Sequence, residues 1–136
     1  MKITGVAGFA PITTDPRASR RFYKETLGLQ FEQDQGEYLA TDALPGLGHF
    51  GLWPLSDAAR SCFGVESWPA DVPVPQGCLE YEMESPEAVN EGAAELEARG
   101  YRLLRRPEPE PWQQITARAM SPEGLLVGLC WTPWKH

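Results

Sequence analysis

Two carboxylates, Glu80 and Glu82, stand two residues apart in a run that reads as a strand, so both side chains share one face. On an enclosed face such a pair holds a cation, and burial raises its pKa values. On an open face it is simply hydrated. The alternation permits either. Cys78 lies on the same face, as a reactive thiol or an inert, partly buried one. His49, Gly51 and Trp53 share a face of an earlier run, while Trp112 and Gln114 sit in a polar stretch further on. Flat indoles stack on planar molecules and offer one N–H, although they serve equally well as core anchors. His49, Trp53, Cys78, Glu80, Glu82, Trp112 and Gln114 are therefore the candidate ligand-binding residues. No catalytic residue is assigned, because the chain has no G-x-S-x-G, P-loop or H-E-x-x-H motif. Ser61 and Ser67 lack a histidine at a motif spacing, and Arg17, Arg20 and Arg21 read as a solvated helix face.

The elements that must position these residues come in two similar sets. Ile3–Ile12 reads as a strand, and Asp15-Pro16 opens a helix with an N-cap and a proline at the first helical position. That helix runs to about Leu27, where Gly28 stops it. Three strands are expected at Leu29–Gln33, Glu37–Thr41 and His49–Pro54. The order then repeats: a strand at Gly77–Glu84, a helix opened by Ser85-Pro86-Glu87 and closed by Gly100, and strands at Tyr101–Arg105, Ile115–Met120 and Leu125–Trp131. The expected fold class is α+β, one domain of two tandem β-α-β-β-β modules. Module one spans 1–54, a proline-rich connector without an assigned element spans 55–75, and module two spans 76–136. In Gly77–Glu84, Leu79, Tyr81 and Met83 are expected beneath a helix. Trp68, Trp131 and Trp134 are assigned to packing or a subunit interface, and His136 to a solvated end.

Composition narrows the function. The 136 residues are 42% hydrophobic and 23% charged, which is ordinary for a globular protein, and the net charge of −7 argues against a nucleic-acid partner. No apolar run is long enough to span a membrane, and Met1–Gly5 lacks the apolar core of a secretory signal. Cys62, Cys78 and Cys130 form no C-x-x-C pair, so a reducing cytoplasm is expected rather than a disulfide framework.

The run DPRASRRFYKETLGLQF at Asp15–Phe31 resembles the first-helix signature of the vicinal oxygen chelate superfamily, which includes glyoxalase I, extradiol dioxygenases and bleomycin-resistance proteins. EPW at Glu110–Trp112 and SPEG at Ser121–Gly124 resemble its bleomycin-resistance branch, with Gln113 where that branch usually has glycine. The resemblance implies a sheet curled around a cavity and a homodimer. In metal-using members it also implies ligands on the first and last strand of each module. The matching positions here are Gly8, Gly51, Cys78 and Gly128, where histidine and glutamate are usual. Three glycines and one thiol cannot hold a catalytic divalent cation, so neither metal nor cofactor is expected. The small residues are also expected to leave space inside the sheet.

The function this implies is metal-independent binding of a small planar or cationic organic molecule, stacked on indole and neutralised by Glu80 or Glu82. The rival is a metal-dependent lyase, isomerase or dioxygenase, whose ligands would be His49, Glu80 and Cys130 after a two-residue shift in register.

Overall fold

The computed structural model describes residues 1–136. Strand β1 (Gly5–Thr13) leads into α1 (Pro16–Arg20), which continues as a π-helical turn over Arg21–Thr26. Asp15 caps the helix by accepting from the Ala18 N–H at 3.1 Å, and Gly28 leaves it at φ 75°. Then come β2 (Gln33–Gln35), β3 (Tyr38–Thr41), β4 (Phe50–Pro54) and α2 (Leu55–Phe63). The second set is β5 (Gly77–Glu82), α3 (Pro86–Ala98), β6 (Leu103–Pro109), β7 (Ile115–Met120) and β8 (Leu126–Trp131), with a short 3-10 turn at Pro133–Lys135. Ser85 caps α3 through the Ala88 N–H at 3.0 Å, and Gly100 follows at φ 91°.

All eight strands form one curled, unclosed sheet in the order β2-β3-β4-β1-β5-β8-β7-β6. The order is symmetric about its centre. β1 pairs parallel with β4, β5 pairs parallel with β8, and the two modules join through the antiparallel β1–β5 contact. One register row crosses the join: Gly8 opposes Glu80, Glu80 opposes Gly128, and Gly128 opposes Arg118. The row places Glu80, one strand position-pair beyond the expected Cys78, opposite both glycines. Helix α3 covers one face through Val89 and Ala93, which pack with Met83, Ala117 and Leu129, and Tyr81 joins this cluster. Of the three residues expected beneath a helix, Met83 is buried there and Tyr81 partly so, while Leu79 is half-buried and lies outside this cluster.

Two local assignments change. The connector contains α2, which starts directly after Pro54, buries Ala58, Ala59 and Cys62, and ends at Gly64 with φ 74°. Leu55, Ala58, Ala59 and Cys62 recur at helical spacing, a period masked by the prolines of the surrounding run. The expected strand Leu29–Gln33 is mostly loop. Leu29 donates to the Tyr23 carbonyl at 3.1 Å, and Leu29 and Phe31 pack against the Leu39, Phe50 and Leu52 cluster as plugs. No helix is long and apolar enough to cross a membrane.

Candidate functional site

The curled sheet encloses a cavity of about 770 Å³, a size suited to one small organic molecule. His49, Trp53, Cys78, Glu80, Trp112 and Gln114 all line it. Glu82 does not. It lies at the end of β5, accepting from the Thr132 N–H and hydroxyl, each at 2.8 Å, and from His136 Nε2 at 2.8 Å. The expectation that Glu80 and Glu82 form one acidic wall therefore fails. The C-terminal segment folds over the last residue of β5 and separates it from the cavity. Burial acts to raise the Glu82 pKa, but the donors from His136, Thr132 and Cys130 outweigh it and hold the carboxyl below its ordinary value. His136 is not a free end either, since its ring also stacks on Trp131 at 5.7 Å.

Arginine, absent from the expected site, dominates the cavity floor. Arg118 projects from β7 with its side chain 1% exposed. Its guanidinium meets Glu80 Oε1 at 2.9 Å, Cys78 Sγ at 3.1 Å and Ser61 Oγ at 3.3 Å, and lies 4.9 Å from the Trp53 ring centre. Arg105 on β6 donates to Thr116 Oγ1 at 2.8 Å and to the Ser61 carbonyl at 2.6 Å. Glu110 joins the two halves: it accepts from Ser61 Oγ at 2.6 Å and lies 3.1 Å from Arg105 Nε. No buried side-chain nitrogen or oxygen is left without a partner. The polar floor is thus a closed network in which Glu80 and Glu110 offset Arg105 and Arg118. Burial pushes the Cys78 thiol up to about 12 and the Cys62 thiol up to about 11, so neither supplies a thiolate at neutral pH.

The glycines prove to be sites of close approach rather than voids. A Cβ on Gly51 would meet the Tyr38 hydroxyl at 2.8 Å, and one on Gly128 would meet Arg118 at 3.0 Å and the Glu80 Cγ at 3.2 Å. A Cβ on Gly8 would lie 2.8 Å from the His49 carbonyl oxygen. The space expected at these positions is therefore taken by Tyr38, Arg118 and Glu80, and the cavity lies beyond them. This arrangement does not fit a metal: no three His, Cys, Asp or Glu side chains come together, and a permanent cation occupies the place beside Glu80.

A second cluster also lines the cavity. His49 Nδ1 lies 2.6 Å from Asp42 Oδ1, and Nε2 lies 2.8 Å from the Tyr38 hydroxyl. The carboxylate can only accept, so Nδ1 carries the hydrogen and Nε2 accepts from the phenol. Burial first, then the nearby carboxylates of Glu80, Asp42 and Asp57, raises the Tyr38 pKa, so the phenol keeps its proton.

At the mouth, Trp112 and Trp134 are 44% and 61% exposed and both line the cavity. Trp134, expected in packing or a subunit interface, is carried to the rim by the 3-10 turn after β8, so it does not pack inside the chain. Trp112 Nε1 donates to Gln114 at 2.6 Å, and Gln114 donates to Thr132 Oγ1 at 2.7 Å. Trp68 packs edge-on to Phe63, as expected. The arginines of α1 are not all solvated, because Arg20 and Lys24 both bind Asp34 and hold its carboxyl at about 2.

The sequence reading missed Arg105, Arg118, Glu110, Tyr38 and Asp42. For Arg118 a signal exists: a lone arginine flanked by alanines inside the strand ITARAM needs a buried acid. Asp42 lies beyond a strand end, and nothing local ties it to His49.

The family model of the Glyoxalase/Bleomycin resistance protein/Dioxygenase superfamily matches residues 6–129. No functionally curated protein matches the chain. Among solved structures, a superfamily member from Vibrio splendidus 12B01 is 16% identical, with 92% of this chain and 97% of that chain covered and a TM-score of 0.61. Methylmalonyl-CoA epimerase from Streptomyces coelicolor is 16% identical, covering 96% of this chain and 99% of that chain, at a TM-score of 0.55. The extradiol ring-cleaving dioxygenase from B. fuscum is also 16% identical, with 96% of this chain but 33% of that chain covered and a TM-score of 0.61. At these identities the similarity is one of fold. With the family model spanning both modules, the chain belongs to the Glyoxalase/Bleomycin resistance protein/Dioxygenase superfamily.

Proposed function

We propose that this chain is a metal-independent binding protein that holds one small, planar organic molecule in the cavity of its sheet. The observation that carries the reading is Arg118. Its guanidinium pairs with Glu80 and fills the space over Gly128, one of the positions where metal-using members of the superfamily bear a ligand. Planarity rests on Trp112 and Trp134 at the rim, with His49, Trp53, Cys78, Glu80 and Gln114 on the inner wall. A cationic ligand is disfavoured relative to the sequence expectation, because Glu80 is already neutralised and Glu82 faces away. We propose a homodimer, supported by the unpaired outer edges of β2 and β6, and a reducing cytoplasmic setting, supported by three free cysteines.

The test is tryptophan fluorescence during titration with neutral, cationic and anionic aromatic compounds of similar shape, using protein whose metal content is first measured. Saturable quenching by a planar compound that weakens at least tenfold in Trp112→Ala is expected. One stoichiometric transition metal per chain, or no saturable quenching by any member of the panel, would overturn the reading.

A further inference from the structure

The rim of the cavity is built as one hydrogen-bonded piece. Thr132 gives its N–H and its hydroxyl to Glu82, each at 2.8 Å, and His136 Nε2 meets the same carboxylate at 2.8 Å. The turn Pro133–Lys135 between them is thereby pinned, and it carries Trp134 and Lys135 to the cavity. Thr132 also accepts from Gln114, whose oxygen takes the Trp112 N–H. That indole therefore offers a ligand its face and no free donor.

The charges along the cavity are matched except at one point. Asp57 faces Arg60 at 3.1 Å, Glu80 faces Arg118 at 2.9 Å, and Glu108 and Glu110 face Arg105 at 3.3 and 3.1 Å. Asp42 is held by His49 Nδ1 at 2.6 Å. Lys135, by contrast, lines the cavity with no carboxylate within 4.0 Å, and its ammonium approaches only the Ala7 carbonyl, at 3.5 Å. Gly48 leaves room for it, since a Cβ there would lie 2.7 Å from Lys135 Nζ. An ammonium carries three N–H donors, so donors remain here for a ligand.

We propose that Lys135 is the specificity-determining residue of the cavity, and that the planar molecule held there is an aromatic carboxylate whose anionic group lies on this ammonium. The inference deepens the proposed binding of a planar molecule and rests on it. A carboxylate is acceptor-only and opposite in charge, so it takes the free N–H donors without bringing a donor that needs a partner. A neutral amide of the same shape gains no such attraction, and an amidinium is repelled. Lys135 is exposed at the mouth, so the contact is worth what a surface ion pair is worth, about fivefold in affinity.

Equilibrium dialysis against matched naphthoate, naphthamide and naphthamidine, alike in shape and different in charge, tests this at low salt with EDTA present. The wild-type protein should bind naphthoate about fivefold more tightly than naphthamide, and naphthamidine most weakly. Added sodium chloride should narrow that preference. Lys135→Met, confirmed folded by circular dichroism, should erase the difference between naphthoate and naphthamide, while Lys135→Arg should keep it. Equal binding of the two by the wild-type protein, tightest binding of naphthamidine, or a naphthoate preference that survives in Lys135→Met would overturn the role of Lys135 and leave the binding proposal standing. Failure of naphthoate to bind would overturn the ligand class assigned here, with the fluorescence panel still deciding the binding proposal.

Discussion

At the residue scale the decisive side chain is Arg118, a guanidinium removed from water and matched by Glu80, Cys78, Ser61 and the face of Trp53. Cutting such a buried cluster on one side leaves the opposite charge unpaired, which costs more than the cluster contributes when whole. Arg118→Met should therefore destabilise the fold by about 3–5 kcal/mol, read as a lower urea midpoint. A change under 1 kcal/mol would mean that Glu80 is solvated or otherwise matched. Gln113 makes a smaller and opposite case. It holds φ 79° in the turn between Glu110 and Gln114, a backbone region costly for any residue with a Cβ. Gln113→Gly should stabilise by about 0.5–1 kcal/mol after the added chain entropy of glycine is offset. The glycine usual at this place in the bleomycin-resistance branch has its physical reason in that angle. The two carboxylates were visible in the strand alternation. Which one the cavity receives was not, because the answer lies in residues 50 positions away.

At the element scale, the helix caps and glycine stops were legible because their chemistry is local: Asp15, Ser85, Gly28 and Gly100 act within one turn. Helix α2 has Leu55, Ala58, Ala59 and Cys62 at helical spacing and was masked by the prolines around it, and β2 was displaced because Leu29 and Phe31 serve as plugs. The register row Gly8–Glu80–Gly128–Arg118 depends on how the modules dock, which no single element encodes. The end of β5 makes a prediction of its own. Glu82 clamps the segment after β8 by accepting from Thr132 and His136, and its folded-state pKa is depressed. A depressed carboxyl stabilises fully above its unfolded pKa and loses that contribution as pH falls through the folded value. Stability should therefore fall between about pH 5 and the depressed folded pKa, and Glu82→Gln should flatten that part of the curve. At neutral pH the substitution should cost about 1–3 kcal/mol in thermal unfolding. An unchanged pH curve in Glu82→Gln would show that the clamp is not the source.

At the scale of the whole molecule, two modules joined through β1 and β5 curl into one open sheet whose outer edges, β2 and β6, have no partner within the chain. Open edges and a rim bearing Trp112 and Trp134 are aggregation hazards unless another surface covers them. Sedimentation at micromolar concentration should give a mass near twice the 15.1 kDa of one chain. A monomer mass would remove that cover and leave the edges to short length and charge. The same curl makes the cavity, and Arg118 fills the place beside Glu80 where a metal would need donors. The measurement that tests this most directly is the affinity of the tightest planar aromatic found by fluorescence, determined in EDTA and again with added zinc, nickel, iron or manganese. The account predicts equal dissociation constants within about twofold, since one kcal/mol would already shift them about fivefold. Binding that vanishes in EDTA and returns with a divalent metal would contradict it.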